Sequence, residues 1–75
     1  MPVAKEDVLR AVRVQLGLAE ARESDRLIEE LGAESVDILN LVASLEQAYR
    51  VRVPEAQIAE LRTVGDLHAL LDRLT

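Results

Sequence analysis

Apolar residues recur along this 75-residue chain at helical rather than strand spacing. Val8, Val12 and Leu16 fall four apart with Leu9 beside them, Glu6 and Asp7 stand at the start and Gly17 at the end, which predicts a first helix over about Val3 to Leu16. Leu18 to Glu34 is mixed and polar, with Leu27, Ile28 and Leu31 apolar enough to pin an ordered loop, carrying one helical turn, onto a core. Ile38, Leu41, Val42, Leu45 and Tyr49 then repeat at helical spacing behind Ser35, which stands where a helix N-cap would; a second helix is predicted from about Ser35 to Arg50. Val51 to Val53 reads as extended. Pro54 suits a first helical position, and Ile58 with Leu61 predicts a short third helix through about Leu61. Thr63 and Asp66 resemble a capping box, and Val64, Leu67, Leu71 and Leu74 predict a closing helix. The reading is one all-α domain over residues 1–75: a four-helix bundle with a long loop between helices 1 and 2 and a short helix 3.

Composition narrows what such a bundle does. A chain this short buries too little surface for a core and a deep catalytic pocket together. Its apolar residues are aliphatic, with one Tyr and no Phe or Trp, so the core must be light. Without Cys there is no disulfide, zinc ribbon or thiol nucleophile, and any sulfur chemistry must come from an attached group. The N-terminus lacks the basic start and apolar stretch of a signal peptide, and no apolar run reaches the roughly 20 residues of a membrane span, so a cytoplasmic chain without membrane insertion is expected. Net charge is −5, concentrated between Glu20 and Glu46, where eight acids face only Arg22 and Arg26. That field disfavours nucleic acid and favours basic protein surfaces; a solvated face that aids solubility is the plainer reading.

Few residues could carry chemistry. Ser35, His68 and Asp37 are the one set that could converge as a nucleophile, base and acid, but no glycine-rich elbow or oxyanion feature accompanies them, and no catalytic residue is assigned. The acids are scattered, the calcium-loop pattern is absent and one His is too few for zinc, so no metal site is assigned either. Taken by position alone, Ser35 reads as an N-cap worth about 1 kcal/mol.

The surrounding residues change that reading. Leu31-Gly32-Ala33-Glu34-Ser35-Val36-Asp37 resembles the L-G-A-D-S-L-D segment that bears the phosphopantetheine serine of acyl carrier proteins. In order behind it, Leu41-Val42, Leu45-Glu46 and Tyr49 resemble the family's L-V-x-x-L-E-x-x-[FY] helix, Val51 to Pro54 its I-x-I-P, and Thr63 to Asp66 its T-V-G-D. The likeness covers nearly the whole chain. Glu34 and Val36 replace the usual Asp and Leu, and Asn40 and Gln47 stand where acids are frequent on the partner-facing helix.

The resemblance implies a carrier rather than an enzyme. A phosphopantetheinyl transferase using coenzyme A and magnesium would place 4'-phosphopantetheine on Ser35, supplying the thiol that the chain lacks. Acyl intermediates would then be held as thioesters and delivered to acyl-loading and acyl-processing enzymes of fatty acid, polyketide or related specialised biosynthesis. By the same resemblance those partners would bring basic docking surfaces to Glu34, Asp37 and Glu46, with Val36 and Ala43 as apolar contacts between them. Leu41, Val42, Leu45, Ile58 and Leu61 are the candidates for sheltering an acyl chain, and equally ordinary core residues. A monomer is expected. Aminoacyl or peptidyl carriers share the fold but more often carry L-G-G-[HD]-S, and an unmodified acidic helical interaction module would use Ser35 only as a cap.

Overall fold

Helices form where the apolar stripes lie: α1 (Lys5–Leu16), α2 (Ser35–Tyr49), α3 (Glu55–Ile58) and α4 (Val64–Leu74). The structure is a computed structural model describing residues 2–75; Met1, included in the domain read from the sequence, lies outside the described residues. Among the described residues no strand forms, and only an isolated antiparallel bridge joins Arg26 to Thr63. α1 packs on both α2 and α4, while α3 touches α2. No described helix is long and apolar enough to cross a membrane.

Each long helix contributes one stripe to a shared aliphatic core: Val8 and Val12 from α1, Leu41, Val42 and Leu45 from α2, and Val64, Leu67 and Leu71 from α4. Tyr49 sits half-buried at the edge of this core and donates its hydroxyl to Asp7 Oδ2 at 2.9 Å, clamping α2 to α1. Burial, reinforced by that hydrogen bond to a carboxylate, raises the phenol above its ordinary 10.0.

The ends differ from expectation in instructive ways. α1 begins at Lys5 rather than near Val3, because side chains of α4 claim the Val3 backbone. The Val3 N–H donates to Asp72 Oδ1 at 3.1 Å, and His68 Nε2 donates to the Val3 carbonyl at 2.8 Å. α3 is a single turn that stops at Ile58, and i→i−3 bonds from Glu60 and Leu61 carry the chain on in a tighter turn. Pro54 is its N-cap and not its first residue, with its carbonyl accepting from Gln57 and Ile58.

The long connection is ordered by backbone pairing with the start of α4. Leu27 N–H donates to the Arg62 carbonyl at 2.8 Å, Val64 N–H to Asp25 at 3.0 Å and Gly65 N–H to Glu23 at 2.8 Å. Gly65 suits this close approach, since a Cβ would stand 3.2 Å from the Glu23 carbonyl oxygen, a tight contact that the loop would have to yield to by a few tenths of an ångström. Leu27 is fully buried, whereas Ile28 is 54% exposed, so only the first of these neighbours anchors the loop. The expected helical turn is present: Glu30 and Leu31 N–H groups both donate to the Arg26 carbonyl.

The capping box of α4 forms as read. Asp66 N–H donates to Thr63 Oγ1 at 3.0 Å, and Asp66 Oδ2 accepts from Thr63 N–H at 3.1 Å and Arg62 N–H at 3.2 Å. The backbone bond from Thr63, partly opposed by desolvation, holds the Asp66 carboxyl below its ordinary 3.8. A folded-state value below the unfolded one means stability that is present above the unfolded value and lost as pH falls through the folded one. Asp66→Asn is therefore expected to lower the urea midpoint most near neutral pH, and the gap to the parent is expected to close as both are titrated below about 3.8. A gap that stays constant through the acid range would show that the carboxylate's charge contributes nothing.

Candidate functional site

The segment Leu31-Gly32-Ala33-Glu34 places Ser35 by a short chain of local causes. Gly32 takes a left-handed conformation, φ 74°, that turns the backbone out of the preceding helical turn at little steric cost. Ala33 is buried and its N–H donates to the Leu27 carbonyl at 2.9 Å, fixing the segment to the anchored loop. Glu34 then occupies the N-cap of α2, and Asp37, three residues on, accepts from the Glu34 N–H at 2.9 Å. The N-cap expected at Ser35 is thus one residue earlier. The correction has a chemical consequence: Ser35 is the first helical residue, exposed, and its hydroxyl is not committed to capping.

Ser35 opens onto a groove of about 400 Å³ between α2, α3 and the loop, lined by Ile28, Ile38, Leu39, Ile58 and Leu61 with Glu55 at its rim. Small-molecule sites span about 300–1,000 Å³, so this groove is of a size to take a short ligand segment. Of the five residues read as an acyl shelter, the structure brings only Ile58 and Leu61 to the groove beside Ser35. Leu41 and Leu45 line a separate depression of about 550 Å³ between α1 and α2, and Val42 is closed within the core. Sequence reasoning missed Ile28, Ile38 and Leu39. The signal available was their apolar character close to Ser35 in sequence, at positions i+3 and i+4 on α2 and at the end of the loop.

The acidic segment is wired differently from a free docking field. Glu23 pairs with Lys5 at 3.2 Å, Glu29 and Glu30 both pair with Arg26, and Asp25 accepts from Arg22 N–H at 2.8 Å. Glu46, half-buried, accepts from Val53 N–H at 2.7 Å and so holds the extended segment that leads to α3. Glu34 at the N-cap and Val36 and Ala43 on α2 are exposed, and Asp37 is partly so. His68 faces Val3 and Glu23, not Ser35, so the structure does not assemble Ser35, His68 and Asp37 as a triad.

The site suits a phosphodiester-linked arm. The first N–H groups of a helix lack intrahelical acceptors and lie at the positive end of its dipole, and at α2 these are the groups next to the Ser35 side chain. The two neighbouring carboxylates oppose an added negative charge. One of them, Asp37, is oriented by its bond to the Glu34 N–H.

Residues 6–71 match the family described as "Phosphopantetheine attachment site". The chain is 36% identical over 63 residues to the acyl carrier protein of Sulfurovum sp. (strain NBC37-1), covering 81% of this chain and 84% of that one. It is 38% identical over 65 residues to the acyl carrier protein of Chlamydia muridarum, covering 83% and 84% respectively. Among solved structures, the acyl carrier protein of Thermotoga maritima superposes with a TM-score of 0.79 at 24% identity, covering 92% of this chain and 82% of that one. A carrier of the actinorhodin polyketide synthase of Streptomyces coelicolor, bearing a 3,5-dioxohexyl group, gives 0.82 at 21% identity over 99% and 92%. At those identities the structural likeness speaks to the fold alone.

Proposed function

This chain belongs to the phosphopantetheine-attachment family of acyl carrier proteins, whose covalent prosthetic group is 4'-phosphopantetheine, and on that premise we propose that Ser35 is its point of attachment. The observation that carries the assignment is the exposed Ser35 at the first position of α2, released from capping by Glu34 and Asp37 and opening onto an apolar groove. When attached, the arm supplies the thiol that this Cys-free chain lacks and on which acyl groups are carried as thioesters. The chain's own contribution is positional. The helix N-terminus favours the phosphodiester, Ile58 and Leu61 with Ile28, Ile38 and Leu39 offer shelter to an apolar cargo segment, and each methylene so buried contributes about 0.8 kcal/mol.

The role is that of a cytoplasmic carrier, not an enzyme, delivering acyl intermediates to loading and processing enzymes of fatty acid, polyketide or related biosynthesis. His68 supports this reading, since its ring nitrogens face Val3 and Glu23 rather than the serine. The docking face in this reading comprises Glu34 at the N-cap and Val36, Asp37 and Ala43 on α2, with Glu46 beyond them, and it is supported by the exposure of Glu34, Val36 and Ala43; Glu46 also accepts from the Val53 N–H. The test is the intact mass of the purified chain after incubation with coenzyme A, magnesium and a broad-specificity phosphopantetheinyl transferase. The expected result is a gain of one phosphopantetheine; no gain beside a transferase control that modifies another carrier would overturn the assignment.

A further inference from the structure

We propose that Gln57 reads a hydroxyl near the far end of the carried acyl chain, so that this carrier shelters distally hydroxylated acyl groups in preference to plain ones. The inference rests on the carrier reading above and narrows its cargo class.

Among the described residues that are not themselves exposed, one side-chain polar atom is shut off from solvent without a hydrogen-bond partner: Gln57 Oε1, with less than 1 Å² accessible. Other part-buried polar groups are paired, Tyr49 with Asp7, the Val3 N–H with Asp72 and the Val53 N–H with Glu46. A buried acceptor with no donor disfavours the folded form by about five- to a hundredfold, so its place in so well-paired a molecule calls for an explanation.

Its position supplies one. Gln57 lines a cleft of about 310 Å³ between α3 and α4, with Glu60, Leu61, Asp66 and Arg73 around it. Leu61 borders both this cleft and the groove beside Ser35, and Ile58, the next residue after Gln57, lines the groove. Leu61 belongs to no helix; its N–H donates to the Ile58 carbonyl in the tight turn that follows α3. A shift of this one side chain opens the groove towards Gln57, and an acyl chain that starts at Ser35 and passes Leu61 then brings its far end to the unpaired oxygen.

The walls select the chemistry of that end. Beside Ser35 they are mainly Ile and Leu, whereas beyond Leu61 they include Gln57, Glu60, Asp66 and Arg73. Asp66 is already committed to the capping box of α4. An oxygen acceptor needs a proton donor, which a methyl, a ketone and a carboxylate all lack and a hydroxyl has. The two acids also disfavour a carboxylate.

The test loads the parent and Gln57→Leu, through a broad-specificity transferase, from the coenzyme A thioesters of octanoate, its ω-hydroxy derivative and a derivative with a ketone near the same end. Thioester loss at mildly alkaline pH is timed by intact mass, with each rate divided by that of the same acyl group on free pantetheine. The Gln57 side-chain amide is followed by NMR, and the unfolding midpoints of the unloaded proteins are compared.

The parent is expected to protect the hydroxylated chain about two- to tenfold better than the other two. Only that cargo should move the Gln57 amide signal. In Gln57→Leu the preference should vanish while octanoyl stays protected, and the unloaded variant should unfold no earlier than the parent, since the substitution removes an unpaired acceptor. Equal protection of hydroxylated and plain chains by the parent, a ketone protected as well as the hydroxyl, or a preference that survives in Gln57→Leu would overturn the proposal. So would an unloaded Gln57→Leu that unfolds well before the parent, because the oxygen would then already have a partner in the folded chain, a bound water included. A parent that gains no arm at all would instead overturn the carrier reading, so the two failures are distinct.

Discussion

Ser35→Ala is expected to gain no mass where the parent gains one phosphopantetheine, while keeping the parent's helicity and unfolding midpoint. Both halves follow from the same geometry. Were Ser35 the N-cap of α2, its replacement by Ala would cost about 1 kcal/mol, and lost loading could be blamed on a frayed helix. The N-cap is Glu34, with its N–H held by Asp37 at 2.9 Å, and Ser35 is an exposed first-turn residue. Ala is a good helix former there, so the stability change should stay within about 0.5 kcal/mol. The sequence has two other serines, Ser24 in the loop and Ser44 midway along α2. Neither opens a helix. Peptide mapping of the loaded parent is expected to find the added mass on the peptide containing Ser35. An arm gained by Ser35→Ala would move the attachment to one of the other two and sink the assignment.

The same cap shows what the sequence could and could not disclose. Thr63 and Asp66 announced a capping box because Thr is a preferred cap residue and the acid falls three positions later. At α2 the preferred type, Ser35, stood beside the residue that does the capping, and only the backbone bond from Glu34 to Asp37 decides between them. The long helices were legible from period alone, since stripes such as Val64, Leu67 and Leu71 tie burial to a 3.6-residue repeat. A single turn such as α3 has no period to read, and its end is set by tight i→i−3 bonds. The acidic segment was visible as charge but not fully as wiring, because Glu23 pairs with Lys5, far off in sequence, and Glu46 is held by a backbone N–H at Val53 rather than by a cation. Leu41, Val42, Leu45, Ile58 and Leu61 read as shelter residues because they are apolar members of neighbouring helical segments. Which of them border Ser35 depends on how α3 and the loop lie against α2, and that left Leu41, Val42 and Leu45 elsewhere.

Leu27 and Ile28 pose that problem most sharply, and substituting each gives the largest expected contrast in stability. They are adjacent, aliphatic and of similar size, yet Leu27 is fully buried and Ile28 is 54% exposed. Truncating a fully buried Leu to Ala removes its transfer free energy and leaves a cavity, together about 2–5 kcal/mol. For a chain of this length total stability is on the order of 4–11 kcal/mol, so Leu27→Ala removes a large part of it. At about 3 kcal/mol the Tm is expected to fall by roughly 12–24 °C. Ile28→Ala should cost about 1 kcal/mol or less, because half of its side chain is already in water.

The difference reaches the site. Leu27 donates its N–H to the Arg62 carbonyl and accepts from the Ala33 N–H, so one residue joins the start of α4 to the segment that presents Ser35. Hydrogen exchange of the Ala33 amide is therefore expected to quicken in Leu27→Ala more than in Ile28→Ala. Equal Tm losses for the two variants would show that the loop is not anchored at Leu27. In that case the fixed placement of Ser35 would need another cause, with the helical turn that ends at Leu31 as the next structure to test.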